Sequence, residues 1–461
     1  MTSFFFFTVL ITLAIIYFAV GIYASRSVKT NTDYFLAGRN LGFLPLICTL
    51  VAAQIGGGML IGTSKEAYFV GFSGLAYTIG FSLGFLLLGL GLASRLQTLS
   101  VSTTAELFET KYRSIFLKKV ASLFSIVTLC GILLAQFAAS RTILVALGFD
   151  NQIIYLIFWT LIIAYTIIGG LRAVALTDLA QVSYIIVFFL GLFTYCLIFI
   201  EPTSFFTWAS LKNAQTQFAP FDWKNTTSII LMPALFTLFE QDLAQKFFAA
   251  RTKNIARIGA LSASIVLLLF SLIPVYLGMK AKLMGIALTP DASPLIPVIK
   301  LLTNDVVVAL AVCGLFAAIA QTSTSLLCAI SSNIAQDFDF SGFGIAKSVR
   351  FSQFVTLLVG SSMFVTSYFI SSNIINILID SYALSVCCLV IPLVVCYFTD
   401  KVYASAAFGA IGAGLFGFIF FRFVPTPLPL EVASLLLSAI GYAIPYWWSR
   451  RQNTLLRSFK I

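Results

Sequence analysis

The sequence predicts an all-α integral membrane protein of about thirteen transmembrane helices, and three observations carry that prediction. Only 10% of the 461 residues are charged while 60% are hydrophobic, and mean hydropathy is +1.01. Apolar runs of about 20 residues, enough to cross a bilayer, follow one another with short loops between them. Lys and Arg gather at alternate ends of those runs. A soluble domain carries about 25% charged residues, and no loop here is long enough to build one. Residues 1–461 therefore read as a single transmembrane domain.

Bounded by charged or Gly/Pro punctuation, the runs fall at about 3–25, 42–70, 73–95, 118–147, 152–171, 176–200, 227–248, 255–280, 304–335, 350–371, 374–398, 404–424 and 428–448. The first lacks a basic leader region and is too long for a signal-peptide core, so it reads as a span rather than a cleaved leader. An odd number of spans puts the termini on opposite sides. With the N-terminus outside, most of the 28 basic residues lie at cytoplasmic ends, in clusters such as Arg95 to Lys119, Lys246 to Arg257 and Arg450 to Lys460. Cytoplasmic loops hold the Lys/Arg excess, so the N-terminus is expected outside and the C-terminus in the cytoplasm. The same positions account for the net charge of +11 without nucleic acid, because the charges sit between spans rather than on one face. Histidine is absent, which removes His-based catalysis and His metal sites. The eight cysteines form no CxxC pair, so neither a disulfide framework nor a zinc site is expected.

Two spans carry breaks. The second contains Ala52-Ala53-Gln54-Ile55-Gly56-Gly57-Gly58, and three adjacent glycines weaken a helix badly. The seventh contains Pro233 and the polar run Glu240-Gln241-Asp242. These spans are five apart, so each opens a five-helix unit, with core repeats at about 42–200 and 227–398 and extra spans at 3–25, 404–424 and 428–448. An odd repeat length inverts one unit relative to the other. Broken helices at matching places in inverted repeats point to a transporter's binding site. Glycines also permit close helix packing, but three in a row beside Gln54 favour an unwound segment that lines a site.

An unwound stretch in hydrocarbon is tolerable only where something accepts its carbonyls, and a dehydrated cation suits that need. The ninth span presents Ala318, Gln321 and Thr322 on one face, at i, i+3 and i+4. Carbonyls of a broken helix with side-chain oxygens of a neighbour make a neutral cage fit for Na⁺. The competing reading is that Ser and Thr hydroxyls between Ala317 and Ser325 bond back to carbonyls one turn earlier or to neighbouring helices. Charges inside spans cost about 2.5–3.5 kcal/mol each, which draws attention to Asp178, Glu240, Asp242, Asp380 and Arg141. Glu240 and its neighbour Gln241, in a broken helix with Gln54 and Gly57 opposite, are the candidates for meeting a solute. A structural pair between Arg141 and one of the carboxylates is the alternative use of such charges.

Several stretches together resemble the sodium:solute symporter family, over residues 30 to 400 or so. They are Asp33-Tyr34-Phe35-Leu36-Ala37-Gly38-Arg39, Gly56 to Thr63, Gly169 to Gln181, Gln241-Asp242-Leu243-Ala244-Gln245-Lys246 with Ala249-Ala250-Arg251, and Ala317 to Asp337. The resemblance implies a LeuT-like fold. It also implies a sodium site made by the carbonyls of Ala52, Ile55 and Ala318 with the side chains of Gln321 and Thr322. Thr322 matches the hydroxyl usual in the family, and Gln321 departs from it. Asp178 matches a carboxylate near the inner end of the cation exit path. Choline-transporting relatives resemble the second span but carry tryptophans where Gln54 and Glu240 stand, so a cation–π cage for a quaternary ammonium is not implied. The implied activity is sodium-coupled uptake of a small polar organic solute of the amino acid, amine, sugar or vitamin class, across a bacterial inner membrane and without a cofactor. A proton is the alternative coupling ion. A polytopic enzyme or a sensor would require catalytic clusters or signalling modules that these short loops do not offer.

Overall fold

The computed structural model describes residues 11–458 apart from 13–14, 17–18, 24, 27, 149–151, 201–217, 221, 289–291, 370–373 and 400. The first expected span, 3–25, lies largely outside the described residues. The second run forms α1 (Phe43–Gln54) and α2 (Thr63–Val70), with a π turn over Gly58–Gly62 between them. Then come α3 (Ala76–Leu87), α4 (Ile115–Ala146) and α5 (Gln152–Tyr195). The seventh run is divided into α6 (Trp223–Thr237) and α7 (Gln241–Ala249). After α8 (Lys253–Phe270) and α9 (Leu272–Leu283) follow α10 (Asp305–Asp337), α11 (Val349–Thr366), α12 (Ile374–Phe398), α13 (Ala404–Phe423) and α14 (Leu430–Ser458). Polar caps set several starts: Ser114, Asp222, Thr252, Asn304 and Ser348 each accept a first-turn backbone N–H, at α4, α6, α8, α10 and α11.

Among the described residues, nine helical runs are long and apolar enough to cross a membrane. Two of these runs, at 41 and 49 residues, are long enough to cross twice. The Gln152–Ile200 run has 49 residues, about 70 Å at 1.5 Å per residue, against a hydrocarbon core of about 30 Å. It bends sharply at Gly170, whose φ of 54° and ψ of −156° are non-helical. A Cβ at Gly170 would lie 2.4 Å from the backbone oxygen of Tyr34, so glycine is required there both for φ and for space. The Gly58–Thr98 run likewise turns at Gly71, φ 63°.

Pro233 lies inside α6 without ending it, and the helix breaks where the polar run begins, at Leu238 to Glu240, where Glu240 takes ψ 127°. Short helices Asn31–Leu36, Glu106–Tyr112 and Leu295–Leu302 fold in stretches read as loops, each too short to span.

The packing is inverted relative to a soluble protein. Large apolar side chains such as Leu90, Val187, Ile265 and Leu269 are exposed on the outer surface, while Thr49, Gln54, Asp178, Glu240, Lys246 and Gln321 are buried. Lipid tails satisfy the former; the latter need partners inside. Helix α10 is the enclosed axis, packed against α4, α5 and α11, while α1 lies on α5 and α8 and α6 on α3 and α12. The two broken helices are tied at one end by main-chain hydrogen bonds, Leu41 N–H to Ala249 O and Arg251 N–H to Leu41 O, both 2.9 Å.

Candidate functional site

Helix α1 ends at Gln54 because the glycine run that follows can leave the helix at little cost. Ile55 turns out with ψ 71°, and Gly56 N–H bonds back to the Gln54 carbonyl at 2.9 Å. The same glycines let other helices come close. A Cβ on Gly56 would lie 2.6 Å from Thr322 Oγ1, and one on Gly58 would lie 2.5 Å from Leu378 Cδ1 and 2.9 Å from the Tyr77 hydroxyl. Unwinding and close packing, the two readings of this run, both operate.

At the break, α10 presents its polar face. Thr322 Oγ1 lies 3.0 Å from the Ala52 carbonyl and 3.1 Å from that of Ala318, and Gln321 Nε2 donates to the Ile55 carbonyl at 3.0 Å. The five residues expected around a cation thus converge. Gln321 presents its nitrogen rather than its oxygen, and Oε1 is buried without a hydrogen-bond partner among the described residues. Such a group costs about 1–3 kcal/mol. The back-bonding alternative holds for Thr322 itself, through Ala318 O, and for Ser323 and Thr324, which donate to Ile319 O at 2.6 Å and Gln321 O at 2.9 Å.

Between the breaks lies a narrow cavity of about 10 Å³, room for a single water, lined by residues that include Gln54, Gly56, Gly58, Tyr77, Gln136, Glu240, Thr322 and Tyr382. Glu240 is the one carboxylate among these described lining residues. It is 5% exposed, lies beside the Gln54 side chain, and has Oε2 buried with no partner among the described residues. The Tyr77 and Tyr382 hydroxyls meet at 2.9 Å, and Tyr382 stacks on Phe236 with ring centroids 4.7 Å apart. This wall is aromatic on one side and carboxylate on another, a combination suited to a small solute bearing an ammonium group.

Two expected solute residues stand back from the cavity. Gly57 N–H donates to Gln136 Oε1 at 2.9 Å. The Gln241 amide faces the 102–104 loop, accepting from Thr104 N–H at 2.7 Å and donating to Ser102 O at 3.2 Å. One turn deeper, Asp242 pairs with Lys246 at 2.9 Å, both buried, and accepts from Ser325 Oγ. Asp178 is fully buried and accepts from Thr49 Oγ1 at 2.5 Å, within the electrostatic reach of Lys246. The alternative of a pair between Arg141 and a carboxylate is not met among the described residues. Arg141 lies over the rings of Tyr155 and Tyr368, 5.5 and 5.1 Å from their centroids, while Asp380 pairs with Arg422 at 2.7 Å on the surface.

Tyr77, Gln136, Lys246 and Tyr382 escaped the sequence reading of the solute site. Tyr77 and Tyr382 sit in no local motif, and only their distant packing partners mark them. Gln136 carried a usable signal, a carboxamide inside the long apolar run of α4.

Residues 34–417 match the sodium:solute symporter family. The chain belongs to the sodium:solute symporter family. This family member is 28% identical over 183 residues to a high-affinity choline transporter of Caenorhabditis elegans, 36% of this chain and 31% of the relative. It is 29% identical over 175 residues to a sodium/glucose cotransporter of Vibrio parahaemolyticus, 36% of this chain and 32% of the relative. The matched stretches span about a third of these curated relatives' lengths. Among solved structures, a Na⁺-coupled sialic acid symporter aligns with a TM-score of 0.77 at 16% identity, covering 96% of this chain and 97% of the other. Mhp1, a nucleobase-cation-symport-1 family transporter, aligns with a TM-score of 0.63 at 12% identity, covering 92% and 96%. The symporter-family chain is thus an all-helical membrane protein with a LeuT-like fold, in a family of transporters rather than enzymes.

Proposed function

We propose that this chain takes up a small polar organic solute together with sodium, by alternating access. The observation that carries the reading is the cavity between the two broken helices. Its wall holds Glu240, and the Thr322 hydroxyl that lines it also reaches the carbonyls of Ala52 and Ala318. In this reading sodium is held by Ala52, Ile55, Ala318, Gln321 and Thr322 and leaves past Asp178. The solute is an amine or zwitterion whose ammonium meets Glu240 and Gln54, with Gly57 and Gln241 acting at one remove through Gln136 and the 102–104 loop. Thirteen crossings, a five-plus-five inverted repeat, an outside N-terminus and a cytoplasmic C-terminus in a bacterial cell membrane complete it. The paired breaks and the charge bias support that arrangement.

The energetics suffice. A membrane potential of 100 mV gives about 2.3 kcal/mol per inward charge, and a tenfold sodium gradient adds about 1.4 kcal/mol. One sodium then sustains a solute gradient of a few hundredfold. Uptake into proteoliposomes, with a panel of labelled amines, amino acids, sugars and vitamins and with sodium present or replaced by potassium, tests the proposal. Sodium-stimulated accumulation of an ammonium-bearing solute is the expected result. Accumulation indifferent to sodium but driven by a proton gradient would favour the second reading, proton coupling, to which the Gln321 nitrogen on the Ile55 carbonyl lends support.

A further inference from the structure

The Gln321 carboxamide is placed to act in two ways, and this inference rests on the sodium reading above. Gln321 is fully buried on α10, with Nε2 on the Ile55 carbonyl and Oε1 without a partner among the described residues. The Ile55 carbonyl lies where α1 leaves helical geometry, so the break has freed it and the amide N–H satisfies it. At that carbonyl the N–H stands in for a cation. The last side-chain torsion of Gln is broad and roughly twofold. A half-turn exchanges nitrogen and oxygen and brings Oε1 toward Ile55 O. Two oxygens facing each other repel unless a cation lies between them. With the cation there, Oε1 joins the carbonyls of Ala52, Ile55 and Ala318 and the Thr322 hydroxyl in an all-oxygen set, the kind hard cations take.

We propose that Gln321 is a two-position element of the ion site. Its nitrogen ties the broken helix to α10 when no ion is bound, and its oxygen completes the ion's shell when one is. Sodium must then displace an internal hydrogen bond. It binds more weakly than it would to the same cage with a hydroxyl at position 321, and the affinity of the site is set by this one side chain.

The test reads ion binding directly, without solute or transport. The purified full chain in detergent is unfolded thermally while sodium chloride replaces potassium chloride at constant ionic strength, since a ligand of the folded state raises the midpoint. Wild type should show a sodium-dependent rise. Gln321→Ser removes the competing N–H but keeps an oxygen, and should reach half that rise at severalfold lower sodium. Gln321→Leu removes both groups and should abolish the rise. If Gln321→Ser does not fold, Gln321→Thr takes its place in the same comparison. A serine variant with the wild-type sodium dependence, or one needing more sodium, overturns the two-position role while leaving the sodium site standing. No sodium response in wild type or variant overturns the sodium reading and this inference together.

Discussion

Glu240, Thr322 and Lys246 are each buried in the same part of the molecule, yet their partners give them different roles. Glu240 lines the cavity and has a buried carboxylate oxygen without a partner among the described residues, and the buried ammonium of Lys246 is already paired with Asp242. Glu240→Gln keeps the shape and removes the charge. It should lower uptake of an ammonium-bearing solute by about tenfold or more, for a charged hydrogen bond worth about 1.5–3 kcal/mol, with membrane abundance near normal. Uptake and abundance measured together check this; a depleted protein would make Glu240 structural. Thr322→Ala removes an oxygen from between the Ala52 and Ala318 carbonyls. It should raise the half-saturating sodium concentration by at least severalfold, read from uptake against sodium. Lys246→Met is of another kind, because it leaves Asp242 and Asp178 buried without their cation. Breaking such a pair costs about 3–5 kcal/mol, so the folded protein should be depleted, and adding Asp242→Asn should recover part of it.

At the level of elements, both breaks were legible in the sequence. Three glycines announce the first break. The polar run from Glu240 marks the second, and the chain parts at Leu238 to Glu240, five residues or more after Pro233. A proline within a helix lacks only its own N–H, and neighbouring helices can absorb the kink. The turn at Gly170 depends on tertiary contact as much as on local sequence, because Tyr34 from a distant helix occupies the space that a side chain would need. Gly170→Ala combines a positive φ with a Cβ 2.4 Å from a backbone oxygen that cannot swing aside. It should destabilise the protein by about 1–3 kcal/mol or more, seen as a lower thermal midpoint in detergent. A midpoint equal to wild type would mean that the α5 turn relaxes.

Across the whole molecule, the proposed sides of the two termini depend on the number of crossings. An outside N-terminus with an inside C-terminus needs an odd number of crossings, and only an odd repeat can turn one unit over. The main-chain tie of Leu41 to Ala249 and Arg251 joins the entry to the first broken helix with the exit from the second. Reporter fusions at the two termini should therefore report opposite sides of the membrane. The same side for both would remove the thirteen-span count.

By itself the sequence determined the solvent, the fold class and the family, because burial in lipid forces long apolar runs and because the family's motifs are contiguous stretches. It also singled out Ala52, Ile55, Ala318, Gln321 and Thr322, which the fold brings together. Only the tertiary structure decided which polar atoms meet. Gln241 turns to the 102–104 loop while Glu240 faces the cavity, although the two are adjacent. Arg141 takes aromatic rings rather than a carboxylate, and Tyr77 and Tyr382 join from spans that share no motif. The reason is that helix periodicity orders residues on one face of one helix, whereas a site between broken helices is set by how separate helices approach and rotate.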